Sequence, residues 1–260
     1  MIVVVIMKPA FGLDKEKDGN LELLKIAIPA LKLGTLAIIA GLNTPVIEAR
    51  AADCSDSAEA GVDWQDCRKR NLMLDGSDLS DAQLSGTDFS STDLRGTKLT
   101  KSNLSKSALA RAMLDDSEAA DSNFEKALGY RTSFVNADLA NANFLKSEMQ
   151  RADFTGAILT NANFEKSELG RVNFSDADIN GTDFRYSNLA RADFRTAIFE
   201  TPIDFTGTYL YQTHFEGVDL SKAIGLEQWQ IDLSCGNEST KLPSGITAPD
   251  SWPCAADDAL

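Results

Sequence analysis

One histidine, His214, serves a chain of 260 residues, and its four cysteines include no CxxC pair. A zinc site therefore has few ligands to draw on. No Gly-rich phosphate loop, HExxH, GxSxG or EF-hand pattern occurs, which removes the usual sequence routes to nucleotide, protease, esterase and calcium chemistry. Long apolar runs are also missing: the longest, Leu33 to Ile47, falls short of the ~20 residues of a membrane span. Positive charge is in deficit, with 25 Lys+Arg against 39 Asp+Glu and a formal net charge of −14. That balance argues against direct electrostatic attraction to nucleic acid or anionic lipid, while leaving room for an acidic surface that competes with nucleic acid for a basic protein. These absences predict a protein that is not an enzyme and carries no cofactor and no metal.

The ends of the chain differ from its middle. "LKLGTLAIIAGLNTPVIEARAA" places Lys32, an apolar stretch and then Ala49-Arg50-Ala51, the small-x-small spacing read by signal peptidase, with Ala52 as the new N-terminus. The segment 1–51 is expected to be an export signal, with a retained anchor or a cytosolic helix as alternatives and Met7 as an alternative start. Cys54 and Cys67 precede the repetitive middle and Cys235 and Cys254 follow it. Of the three possible pairings the two local ones are geometrically simplest. Two such bonds fit an exported chain, since disulfides persist mainly outside the reducing cytosol; unpaired buried cysteines are the alternative.

The middle keeps a period of five. From Leu74 every fifth residue through Phe199 is large and apolar, save Ala119 and Gly129, and two residues before each stands a small one, Ser77, Ala82, Thr87 and onward to Ala197, with Val172 the bulkiest. Neither a helix nor a strand generates this period. One large and one small inward residue per five, with three positions left for solvent, call for a solenoid. Past Phe199 the centres move to Phe205, Leu210, Phe215 and Leu220, so "TPIDF" inserts one residue, and a bulge or small loop near Pro202 is expected.

The stretch "ADLAN ANFLK SEMQR ADFTG" resembles the A(D/N)LXX pattern of the pentapeptide-repeat family, and the match extends from about Leu72 to Ala223. The resemblance implies an all-β fold: a right-handed quadrilateral parallel β-helix, four pentapeptides to a coil, with the centre and the small residue pointing inward. About 7 to 8 coils, roughly 36 Å at ~4.8 Å per stacked strand, are expected. The expected domains are a signal or anchor (1–51), an N-terminal cap (52–71), the β-helix (72–225), and a C-terminal cap and tail (226–260). Trp64 should close one end and Trp229 with Trp252 the other, the caps stapled by disulfides, with "AADDAL" a frayed tail.

Read at a spacing of twenty, the centres sort into ladders: Phe134, Phe154, Phe174 and Phe194 on one side and Phe124, Phe144, Phe164 and Phe184 on the opposite one, with aliphatic residues toward the N-terminus. The same spacing stacks Lys106, Lys126, Lys146 and Lys166 in one outward column and Arg111, Arg131, Arg151, Arg171 and Arg191 in the next, at neighbouring corners. Unit charges ~4.8 Å apart repel by about 0.9 kcal/mol even at the dielectric of bulk water, so counter-charges are needed. Arg151 has Glu148 and Asp153 nearby in sequence, Arg171 has Glu168 and Arg191 has Asp193, which predicts local salt bridges; Arg111 and Arg131 lack such neighbours and are the better anion-binding candidates. Asp residues one before the centres, among them Asp78, Asp88, Asp93, Asp138 and Asp183, suit turn hydrogen bonding more than acid/base catalysis. His214 reads as an outward bystander.

Three functions compete. The leading one is a periplasmic or secreted bacterial binding or scaffold module, using flat faces and the Lys/Arg stripe on a protein or an anionic envelope polymer, without direct nucleic-acid binding. The resemblance also implies an alternative, a cytosolic DNA mimic that binds a type II topoisomerase. A spacer held by a retained N-terminal anchor is the third, and membrane contact is expected only in that case.

Overall fold

A computed structural model describes residues 52–254. The expected signal or anchor over 1–51 and the expected frayed tail lie outside the described residues. Among the described residues no helix is long and apolar enough to cross a membrane.

The period of five becomes a square coil. Each side contributes one bridging residue, paired in parallel with the residue one coil on: Asn103 with Asn123, Asn123 with Asn143, Asn143 with Asn163, and onward through Asp183 and Asp204 to Ile224. A side is too short for a regular strand, so the sheets are columns of single bridges. The hydrogen bonds run along the axis on both edges of each bridge, as in Leu104 N–H to Asn123 C=O at 2.8 Å and Asn123 N–H to Ser102 C=O at 2.9 Å.

Inside, each pentapeptide buries its centre and the small residue two before it. Phe124, Phe144, Phe164 and Phe184 stack with centroids 4.6 to 5.5 Å apart, and Phe134, Phe154, Phe174 and Phe194 stack at 4.8 to 5.5 Å. The two stacks meet edge to face across the interior, for example Phe144 and Phe154 at 5.8 Å and 88°. Both arrangements are favoured by the ring quadrupole. Inward Ser and Thr hydroxyls bond to carbonyls of the coil wall: Thr132 Oγ1 donates to Leu109 O at 2.7 Å and Ser167 Oγ to Phe144 O at 2.7 Å. Such bonds satisfy most of the small polar residues in the apolar core, while the Ser107, Ser117 and Ser187 hydroxyls are buried without a partner.

The insertion at Pro202 is absorbed at one corner. Before it bridges join residues twenty apart; across it they join Asp183 to Asp204, Asn188 to Tyr209 and Asp193 to His214. Ile203 and Phe205 resume the inward positions.

The ladder already begins at Asp63, which pairs with Gln83, inside the segment expected as the N-terminal cap. Trp64 and Lys69 continue the run of centres, while Val62 and Cys67 take the small inward positions. A lysine at a centre hides the period. Its ammonium lies 3.6 Å from the Trp64 ring centroid and donates to Cys54 O at 2.9 Å. Burial pulls the Lys69 pKa down, opposed by the charges of Asp56 and Asp53. The Cys54–Cys67 disulfide pins the incoming segment over this first coil.

At the far end a six-residue helix, α1 (Gln228–Leu233), closes the coil. Its buried members are Gln230 and Ile231. The Gln230 amide donates to Phe205 O at 3.0 Å and to Thr208 O at 2.8 Å, taking the place of the next coil above them. Trp252 donates its indole N–H to Ser234 O at 2.8 Å and lies over Gly236, where an added Cβ would come within 2.4 Å of the ring. Trp229, expected to share this role, is instead 46% exposed. The helix turns Gln230 and Ile231 inward, and so turns the residue between Gln228 and Gln230 outward. The Cys235–Cys254 disulfide ties the last segment to the cap.

Candidate partner-binding face

From Asp66 to Arg191 each corner of the square holds one residue with positive φ, two after the centre. The Lys and Arg columns occupy such corners: φ is 59° at Lys106, 59° at Lys126, 57° at Lys146 and 60° at Lys166, and lies between 58° and 62° at Arg111, Arg131, Arg151, Arg171 and Arg191. The corner N–H reaches the next coil, as from Arg111 to Tyr130 O at 3.0 Å. The two columns therefore edge one side of the square, whose outward residues are Ala108, Leu128, Glu148, Glu168, Asn188 and Tyr209.

The local ion pairs expected for this stripe do not form. Asp153 accepts from the backbone N–H and hydroxyl of Thr155 at 3.0 and 2.5 Å, Asp193 pairs with Arg195 at 2.5 Å, and Glu168 accepts from Asn188 at 2.9 Å. The cause is directional: an Asp before a centre folds forward onto the N–H two residues on, while the left-handed corner throws its side chain outward. Among the described residues Arg111, Arg151 and Arg171 have no carboxylate within ion-pairing distance. Arg191 donates to Gln212 at 2.8 Å, and Arg131 lies 5.4 Å from the Tyr130 ring. In the other column Lys126 and Lys166 pair with the adjacent Glu125 and Glu165. Lys126, through its hydrogen bond first and its charge second, holds the Glu125 carboxyl below its usual range, with smaller help from Lys146 and Lys106. Arg151 and Arg171 thus join Arg111 and Arg131 as groups open to an external anion. No sequence signal distinguished them, because proximity in sequence does not carry the direction of a left-handed residue.

The Asp residues one before the centres form turns. Asp78, Asp88, Asp93, Asp138 and Asp183 each accept the N–H two residues on, at 3.0 to 3.1 Å. Asparagines in the same position also bond along the axis, Asn143 to Asn123 at 3.1 Å and Asn163 to Asn143 at 3.2 Å. His214 is half-buried with Nδ1 3.0 Å from Glu216 Oε1. Among the described residues no group of His, Cys, Asp and Glu is arranged to hold a metal ion. A surface hollow near the insertion is lined by Phe199, Glu200, Asp219, Ser221 and Lys222.

Square coils, parallel single-residue bridges and inward centres every five residues define a β-helical repeat solenoid. The chain belongs to the pentapeptide-repeat family, whose β-helix is right-handed: the "pentapeptide repeat region" model matches residues 147–224, and "pentapeptide repeats (8 copies)" matches 70–100, 77–116 and 92–128. Among solved structures, the chain is similar to HetL, a pentapeptide repeat protein involved in heterocyst differentiation regulation from the cyanobacterium Nostoc, at 21% identity over 74% of this chain and 87% of that one, with a TM-score of 0.40. A trypsin-treated QnrB1, described as a plasmid-mediated fluoroquinolone resistance protein, is similar at 18% identity over 73% and 87%, with a TM-score of 0.29. A thylakoid-lumen pentapeptide repeat protein from Arabidopsis thaliana is similar at 21% identity over 55% and 79%, with a TM-score of 0.19. No curated protein matches the chain.

Proposed function

We propose that this protein is a non-catalytic, rigid binding module of the bacterial periplasm or exterior, engaging an acidic partner through its two basic edges. One observation carries the reading: Lys and Arg hold left-handed corners that other residues fill with less strain. Outside Gly, Asn and Asp, that conformation costs roughly 1 to 2 kcal/mol per residue. Strain repeated down two columns and not relieved by ion pairs at Arg111, Arg151 and Arg171 points to a use for the charge. Two disulfides among the described residues support an oxidising compartment. The test is the double variant Arg111→Glu with Arg131→Glu. It should lose binding to acidic polymers while its far-ultraviolet spectrum is unchanged; undiminished binding would remove the stripe from the function.

A second reading, a DNA-mimicking inhibitor of a type II topoisomerase, is favoured by the net charge of −14. The basic edges oppose it, because they interrupt the negative surface such mimicry needs. A supercoiling assay separates the two: inhibition at micromolar protein that survives the double variant supports the mimic, and no inhibition removes it.

A further inference from the structure

The chain contains four tyrosines, and all four lie on the side between the basic corners or on its edge. Tyr130, Tyr209 and Tyr211 stand on the side itself, 43, 44 and 40% exposed, and Tyr186 ends the lysine column at 56%. Tyr186 has a φ of 58°, a conformation in which a bulky aromatic is an outlier. It lies against Gly207, where a Cβ would come within 2.7 Å of the ring. The Tyr209 and Tyr211 rings are 10° from parallel with centroids 6.3 Å apart, an exposed aromatic pair. Each end of the side couples a ring to a cation, Arg131 with Tyr130 at 5.4 Å and Lys166 with Tyr186 at 5.6 Å. Between the ends the surface is polar, with Glu148, Gln150, Glu168 and Asn188.

Size selects the occupant. A side three extended residues wide spans about 10 Å, and the rungs from Arg111 to Tyr211 cover about 24 Å at ~4.8 Å each. The resulting ~240 Å² is well under the ~800 Å² per partner of a standard protein interface. A linear chain lying along the axis fits this strip. An extended acidic peptide presents side chains on one face every ~6.6 Å, out of step with the cation columns. Bare polyanions meet Glu148 and Glu168 in mid-face without a donor to offer them. A sugar chain resolves both points: its hydroxyls donate to these carboxylates, its ring faces stack on the tyrosines, and its acid groups reach the edges, where the planar guanidinium matches a carboxylate in two-pronged fashion.

We propose that the side between the two basic corners binds a linear, uronate-bearing polysaccharide laid along the solenoid axis. This deepens the reading of the basic edges and rests on it. The test uses the full chain with its disulfides intact, titrated calorimetrically at physiological ionic strength with polygalacturonate, and in parallel with polyphosphate, poly-L-glutamate and oligothymidylate. Polygalacturonate should bind, and bind tighter than the other three. Tyr209→Ala with Tyr211→Ala should weaken it about tenfold, as expected for losing two stacking rings, with an unchanged far-ultraviolet spectrum. Absence of polygalacturonate binding, or wild-type affinity in the tyrosine variant, overturns the assignment. If poly-L-glutamate or oligothymidylate binds as tightly or better and the Arg111→Glu, Arg131→Glu variant abolishes that binding, the polysaccharide falls while the basic edges stand.

Discussion

Two pairs of corners solve the same backbone problem with different residues. Away from the basic side, the left-handed positions hold Gly76, Gly96, Asp116, Asn136, Gly156 and Asp176 along one edge, and Asp81, Asp121, Asn141, Asn161 and Gly181 along another, with Lys101 the exception. These are the residue types that enter that region at least strain. On the other pair, Lys and Arg run from Lys106 to Arg191. Backbone hydrogen bonding is alike on both pairs, while the Asn and Asp corners add side-chain bonds along the axis, Asn136 to Asp116 at 3.3 Å and Asn141 to Asp121 at 3.1 Å. The backbone places no demand for cations on the basic pair, which fits the binding role proposed for them.

The largest effect comes from breaking what both pairs share. Phe154→Ala removes a rung stacked between Phe134 and Phe174 and should destabilise by about 3 to 5 kcal/mol; urea denaturation measures it. Moving a cation to the low-strain pair should come next. Gly156→Lys forces a side chain where φ is +67° and where a Cβ meets Asn136 Oδ1 at 2.6 Å, for a loss of about 1 to 2 kcal/mol. The reverse exchange sharpens the comparison most directly. Arg151→Asn should gain about 0.5 to 1 kcal/mol in the same assay, since asparagine adopts the corner more readily and no ion pair is lost, while affinity for acidic polymers falls.

Acid should produce the smallest and broadest change. Arg95, by its side-chain bonds first, holds the Asp93 carboxyl low against burial. At Asp183 burial pushes the pKa up, but the bonds and charge of Arg185 outweigh it. Both pKa values are depressed on folding, so their contribution is present above the unfolded carboxylate value near ~3.9 and is lost as pH falls through the lower folded values. Melting temperatures should therefore drop below about pH 4, with the corner cations still charged.

Much of this was legible in the sequence. Leu and Phe centres with a small residue two before them fixed which side chains face inward, and the spacing of twenty fixed which share a side. Legibility ended where a residue departs from its position's type. Lys69 hides a centre because its charge is accommodated by Trp64 and a cap carbonyl, a tertiary arrangement no period reveals. Trp229 looked like a plug, yet the turn of α1 gives that work to Gln230. The supposed partners of Arg151 and Arg191 are near in sequence but point elsewhere, since turn geometry outranks proximity. The tyrosines form a group only once the coil is closed.

The register of twenty, kept from Asp63 to the single-residue step at Pro202, makes the chain's reach and its valency one variable. Duplicating twenty residues from the middle adds a rung and one further cation to each edge, raising avidity through extra simultaneous contacts. Duplicating five or ten also lengthens the rod, but hands every later cation to a different edge and divides the binding track in two.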